Sequence, residues 1–409
     1  MAEDMPQMDE LRSWRERFHT SLYDDVLPFW MKHSLDREFG GYFTCLDRDG
    51  SLYDTKKHVW LQGRQVWMLS RIHNILKETD GTDGRYLEAA ELGARFIRKH
   101  AKADGNRVYF SLTREGRPVF IQRKMFAECF YVMGLAEYAR ASGDDSARQE
   151  ALDVFESVQK FARNPALLGR PQLDGMPKTI SLAVPMILLN LIQEVNGPGE
   201  DRYPELAEWC VEELLKHFHA DRRIVLETVL PNGSYLDTPE GRLVNPGHAI
   251  EAGWFLLDYA CRSGRDDLKQ TAIEAMDWSF DFGWDKEYGG LYYYLDAGGY
   301  SPLQLEWSMK LWWPHCEALI GFLMAYRESG EARHLERFRQ VAEYSFDRFP
   351  DPEFGEWYGY LDRRGEVAMR YKAAPYKGCF HLPRALLLGE QVLDELTQRQ
   401  PAAGRSTAR

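Results

Sequence analysis

At 409 residues, with 44% hydrophobic and 28% charged side chains, the chain is long enough for two ordinary domains or one large repetitive one, with ample apolar content for a sizeable core. A formal net charge of -12 without a basic cluster argues against a nucleic-acid or anionic-membrane partner and leaves small neutral ligands open. Six cysteines with no CxxC pair, an acidic start (MAEDMPQMDE) and no apolar run of the roughly 18 residues a bilayer span needs point to a reduced, cytoplasmic protein.

Residues 1–8 read as loose, and Leu11 to Lys32 as an amphipathic helix with Leu11, Trp14, Phe18, Leu22 and Val26 at helical spacing. A hairpin signal follows, with two short aromatic strands around Asp49-Gly50. That unit returns: EFGGYFTCLDRDG (38–50), EYGGLYYYLDAGG (287–299) and EFGEWYGYLDRRG (353–365) share an acidic residue, an aromatic, Gly, an aromatic-rich strand, Leu-Asp and a Gly turn, and RVYFSLTREGRP (107–118) is a degenerate copy. Between the copies the pattern predicts helices over 59–77, 85–99, 125–142, 146–163, 180–194, 204–218, 247–263, 268–282, 304–329, 332–348 and 384–398, about twelve with the first. Helix pairs that repeat with hairpin loops mean either an open solenoid or a closed ring. Some helices are apolar nearly all round (SLAVPMILLNLI, PRALLLGEQVL) and others have one charged face, so the closed solution is a double-layered helical barrel forming a single domain over 1–409, with the loops at one end. The polar tail from 399 to 409 reads as disordered.

Three stretches carry candidate chemistry. In NPGHAIEAGW, Pro246 and Gly247 mark a turn that places His248 at a helix start, and Glu251 and Trp254 follow at three-residue spacing on the same face. In YKGCFHLPRALLLGE, His381 stands two residues before Pro383 and so at the start of a second all-round apolar helix. A single histidine in such a place is more often a core or capping residue, but two at equivalent helix ends can meet across one cavity. In QLEWSMKLWWPHCEALIGF, positions Glu306, Lys310, Trp313 and Glu317 fall on one helical face, with Pro314 expected to bend or break the helix nearby. On WLQGRQVWMLSR, Trp60, Arg64, Trp67 and Arg71 form one stripe, and a buried Arg64 calls for an anion or hydroxyl cluster opposite, or a structural carboxylate. His217 and His219 form an H-x-H without an evident third ligand, read as a solvated helix end. HExxH, P-loop and GxGxxG patterns are absent, which removes the mechanics of metalloproteases, nucleotide triphosphatases and dinucleotide enzymes.

Taken together, WLQGRQVWM, GRPQL, AVPMILLN, NPGHAIEAGWFLL, GWDKEYGGLYY, QLEWSMKLWWPHCEA, DPEFGEWYGYL and KGCFHLPR closely resemble the N-acylglucosamine 2-epimerase (renin-binding protein) family, from about Leu11 to Leu393. The resemblance implies an all-α (α/α)6 barrel that interconverts N-acetylglucosamine and N-acetylmannosamine in amino-sugar and sialic acid metabolism. It implies His248 and His381 as the acid/base pair, Arg64, Glu251 and Glu317 lining the sugar site, and Trp254 and Trp313 packing on the sugar ring. No metal or redox cofactor is implied; ATP is, as an activator that is not consumed, and so are a homodimer and a renin-type protease partner. The competing readings are an aldose-ketose isomerase working with one base, a glycoside hydrolase using Glu251 and Glu317 as its two carboxylates, and a non-catalytic protease-binding protein.

Overall fold

The computed structural model describes residues 4–78, 84–171, 173–175, 177–197 and 199–398. The predicted tail (399–409) lies outside them, as do residues 1–3 of the predicted loose start, whereas residues 4–8 are already helical. In chain order the helices are α1 (Asp4–Thr20), a π-helical turn (Ser21–Val26), α2 (Leu27–His33), α3 (Val59–Glu78), α4 (Arg85–His100), α5 (Phe126–Ser142), α6 (Asp145–Arg163), α7 (Ala183–Val195), α8 (Pro204–Leu215), α9 (Pro246–Ser263), α10 (Asp266–Gly283), α11 (Trp312–Ser329), α12 (Ala332–Arg348) and α13 (His381–Gln398).

Burial sorts these helices into two layers. On α11 every residue from Trp312 to Ala325 is buried, and α5 is nearly as enclosed, so both are surrounded by protein. On α12 the buried set is a single stripe (His334, Leu335, Phe338, Val341, Ala342, Ser345, Phe346), as an outer helix requires. The enclosed helices pack in the succession α3, α5, α7, α9, α11, α13, and their outer partners are α4, α6, α8, α10, α12 and, for α13, α1. Phe380, just before α13, meets Trp67 of α3 at 5.5 Å between ring centroids and closes the inner ring. This is the expected (α/α)6 barrel. At Gly63 the α3 and α5 backbones touch, since a Cβ there would stand 2.1 Å from the Phe130 carbonyl oxygen, so no larger residue fits. Among the described residues no helix is long and apolar enough to cross a membrane.

The repeated hairpins sit where inner helices begin, and each hides an ion triad. Asp36, Asp285 and Asp351 are buried at the head of the three copies and pair with the buried lysines Lys57, Lys310 and Lys372 at 2.8, 3.1 and 3.0 Å. An arginine completes each: Arg114 on Asp36, Arg363 on Asp285 and Arg48 on Asp351. Each arginine comes from the turn of another copy, so the repeats are interlocked rather than merely adjacent. In two of the triads the lysine starts a matching sheet, Lys57↔Leu112 and Lys310↔Leu361.

Several expectations are corrected. The stretch 304–329 is not one helix. Residues 302–309 are loop and turn, Lys310–Leu311 is a strand, and α11 starts at Trp312, because Lys310 is drawn into its triad. Glu306 and Lys310 therefore share no helical face with Trp313 and Glu317. Pro314 lies in the first turn of α11, where backbone N–H groups have no intrahelical acceptor, so no bond is lost. The turn at Asp49-Gly50 is closed by one bridge, Leu46 to Leu52, in place of two strands. His217 is fully buried, bonded through Nδ1 to the Leu226 carbonyl, and is not a solvated helix end.

Candidate active site

The end of the barrel where the inner helices begin collects the candidate residues. The Asn245 side chain caps α9 by accepting from the His248 amide at 3.1 Å, with Pro246 in the first turn, so His248 stands at the helix mouth. Its Nδ1 faces both oxygens of Glu227, at 3.0 and 3.1 Å. Trp313, in the first turn of α11, lies with its ring centroid 5.0 Å from that of His248 and 5.8 Å from that of His381. The two histidines thus flank one indole, on helices that are both neighbours of α11.

His381 is the first residue of α13, and its Nδ1 bonds Oε1 of the fully buried Glu317 at 2.7 Å. One turn on, Arg384 Nη2 donates to Glu317 at 2.7 Å and to Glu251 at 2.9 Å. Trp254 Nε1 donates to the other Glu317 oxygen at 2.9 Å. An ionised carboxylate only accepts, so each histidine carries its proton on Nδ1 and turns Nε2 to whatever enters; this tautomer follows from the network.

The two imidazoles are tuned in opposite directions. Burial, the strongest influence on His248, disfavours its charged form, but Glu227, with Glu251 and Glu317 behind it, more than reverses this and raises its pKa above 6.5. His381 is held well below 6.5 by burial first and then by the cations of Arg64 and Arg384. The pair is thus biased apart: His381 toward the neutral, proton-accepting form and His248 toward the protonated, proton-donating one.

Arg64 projects from the first turns of α3 over the Phe130, Trp60 and Phe380 rings at 3.9, 4.8 and 5.2 Å. Its buried Nε has no hydrogen-bond partner, and burial lowers its pKa to about 9 despite the pull of Glu251. Aromatic faces, rather than the expected hydroxyl cluster or paired carboxylate, surround this guanidinium, which keeps it available to an incoming anion.

Glu251, Glu317 and His381 bring one ligand atom each within 4.8 Å of one another, a spacing that would suit a cation. Arg384 already supplies positive charge to both carboxylates, so the donor set is satisfied by protein.

His248, His381, Trp313, Arg64, Glu251 and Glu317 are brought to one end of the barrel. Trp254 stands apart from the expected sugar contact: its indole is buried, its N–H is used by Glu317, and with Arg384 it lines a cavity of about 160 Å³ that reaches toward the other end of the inner helices. Glu227 and Arg384 are absent from the sequence reading. A lone carboxylate inside the apolar run IVLETVL, and an arginine three residues after His381 just as Glu251 is three after His248, are the signals that pointed to them.

Comparison with known proteins places these residues in a wider context. A family model described as N-acylglucosamine 2-epimerase (GlcNAc 2-epimerase) matches residues 41–384. The N-acylglucosamine 2-epimerase of Rattus norvegicus is 46% identical over 400 residues, covering 96% of this chain and 95% of the relative, and that of Homo sapiens is 45% identical over 400 residues, covering 96% and 93%. Among solved structures, the cellobiose 2-epimerase of Spirochaeta thermophila DSM 6192 superposes with a TM-score of 0.79 at 22% identity, over 95% of this chain and 99% of that one.

Proposed function

The chain belongs to the N-acylglucosamine 2-epimerase family and is a sugar epimerase, and on that premise we propose that it interconverts N-acetyl-D-glucosamine and N-acetyl-D-mannosamine with His248 and His381 as its two proton-transfer groups. One observation carries this reading: two histidines, each backed by a carboxylate on Nδ1, flank the Trp313 ring with their Nε2 atoms free.

Inversion at C2 needs a proton that is acidic only beside a C1 carbonyl, so the sugar reacts in its open-chain form. His381, neutral near pH 7, removes the C2 proton from one face. The electron pair left on C2 is shared with the C1 oxygen, and Arg64, whose Nε has no hydrogen-bond partner in the protein, balances that developing charge. The inner helices point their N-terminal, partially positive ends at the same region, which favours the anion further. His248, whose protonated form Glu227 favours, delivers a proton to the opposite face. In the reverse direction the roles exchange. Trp313 offers the flat face on which the chain of the substrate lies.

The arrangement favours epimerisation over a one-base aldose-ketose isomerisation, because a second, oppositely tuned histidine stands across the indole. It also disfavours glycoside hydrolysis, because Glu251 and Glu317 are tied together by Arg384 and neither is free to act as acid or nucleophile. Membership of the family extends the proposal to a homodimer activated by a nucleotide such as ATP that is not consumed; capture of a renin-type protease would be a separate surface property, read by co-elution.

The test is to replace each histidine by asparagine and follow deuterium uptake at C2 from D2O with either epimer as substrate. Both variants lose net epimerisation, and exchange survives with at most one epimer in each. Full two-way exchange in either variant removes the two-histidine scheme.

A further inference from the structure

The third hairpin copy departs from the other two, and the departure lies beside His381. In the first copy the triad lysine, Lys57, stands two residues before the inner helix that starts at Val59; in the second, Lys310 stands two before Trp312. In the third, Lys372 stands nine before the helix that starts at His381, so the segment 373–380 replaces the single residue that joins triad and helix in the other two.

A second departure accompanies the insertion. The position after the Phe-Gly or Tyr-Gly pair has a left-handed backbone in all three copies, with φ of 72° at Gly41, 75° at Gly290 and 56° at residue 356. Glycine accepts that conformation freely, but the third copy has Glu356 there, a strained choice for a side chain with a Cβ. Glu356 is 1% exposed. Its Oε1 accepts from Lys377 Nζ at 2.8 Å and its Oε2 from Trp30 Nε1 at 2.7 Å. Lys377 is also buried, donates to the Lys372 carbonyl at 2.9 Å, and exchanges backbone hydrogen bonds with Ala374 to close the inserted turn. The only buried carboxylate that Lys377 pairs with among the described residues is therefore the one carried by the strained position.

We propose that Glu356, acting through Lys377, is a positioning residue for His381: the buried pair pins the inserted segment so that α13 begins with its imidazole aligned to the substrate. The sequence tolerates strain in the third copy because only that copy has a long connection to fix ahead of a proton-transfer group. This inference rests on the reading of His381 given above.

The test compares Glu356→Gly, Lys377→Met and the double variant with the parent by thermal melting, steady-state kinetics and C2 deuterium exchange. The double variant restores the glycine of the other copies and leaves no unpaired buried charge, and since only the Trp30 N–H loses its acceptor it folds, with a melting temperature lowered by that one bond. Its kcat falls roughly 10- to 100-fold, as expected when a reacting group is misplaced by about 1 Å, with KM changed far less and the acid limb of the pH profile shifted. A double variant with parental kcat and pH profile overturns the proposal, as do single variants that lose only melting temperature while each folded molecule turns over normally. Should the double variant fail to fold, Glu356→Gln, which keeps an acceptor for Trp30 and loses the charge facing Lys377, is judged on the same two readouts. His381→Asn is run in parallel: full exchange in that variant overturns the functional reading and this inference together, whereas a dead His381→Asn beside a fully active double variant overturns the positioning role alone.

Discussion

Glu227 offers both carboxylate oxygens to Nδ1 of His248, at 3.0 and 3.1 Å, while the carboxylate behind His381 is shared with an arginine and an indole. That difference divides the labour of the two histidines. A carboxylate devoted to one imidazole stabilises its protonated form, whereas one already neutralised by Arg384 mainly orients the ring.

The division predicts a bell-shaped pH dependence of kcat/KM. Activity rises as His381 deprotonates, on the acid side of 6.5, and falls as His248 deprotonates, on the alkaline side. Replacing Glu227 by glutamine removes what raises the His248 pKa, so the alkaline limb moves to lower pH and kcat falls by about 10- to 100-fold. An unmoved alkaline limb would assign it to another group.

For Arg64 the prediction has opposite signs for rate and stability. Arg64→Met removes the charge that meets the developing oxyanion, and kcat falls about 100- to 1000-fold, or roughly 3–4 kcal/mol. The same change removes a guanidinium whose buried Nε has no partner, so the melting temperature stays level or rises. A variant that loses stability and activity in proportion would instead mean that Arg64 is structural.

Chelation separates the arginine-bridged cluster from a metal centre. Dialysis against EDTA leaves the parent enzyme fully active, because Arg384 supplies the positive charge between Glu251 and Glu317. Arg384→Gln leaves two facing buried carboxylates, lowers stability by about 3–5 kcal/mol, and recovers part of it when Mn2+ or Zn2+ is added. Loss of parental activity on chelation, restored by one divalent ion, would contradict this.

The hairpin triads predict where acid unfolds the protein. Burial opposes the charge on Asp36, but hydrogen bonds from Arg114 and Lys57 outweigh it and lower the pKa to about 2; Asp285 and Asp351 are depressed in the same way. A carboxylate whose pKa is lower in the folded state stabilises fully above its unfolded value of about 4, and that stability is lost as pH falls through the folded value. Urea midpoints therefore drop between about pH 4 and 2. In Asp36→Asn the midpoint is lower at pH 7 and falls less steeply on acidification.

The alternation of helices apolar all round with helices apolar on one side determined the two-layered ring, because an enclosed helix leaves no other place for its neighbours. Three hairpin copies were legible as spacing, and Pro246 and Pro383 marked the helix starts that carry His248 and His381. The beginning of α11 was not legible, since an apolar, aromatic run suits strand and helix alike, and only the pairing of Lys310 with Asp285 ended the helix at Trp312. What the tertiary structure alone decided is who stands behind each group. His248 and Glu227 are 21 residues apart, His381 and Glu317 are 64 apart, and Arg384 and Glu251 are 133 apart. Helical and strand periodicities relate residues a few positions apart, so they set the face on which a side chain lies; closure of the ring sets which distant carboxylate or cation it meets, and with that its protonation state.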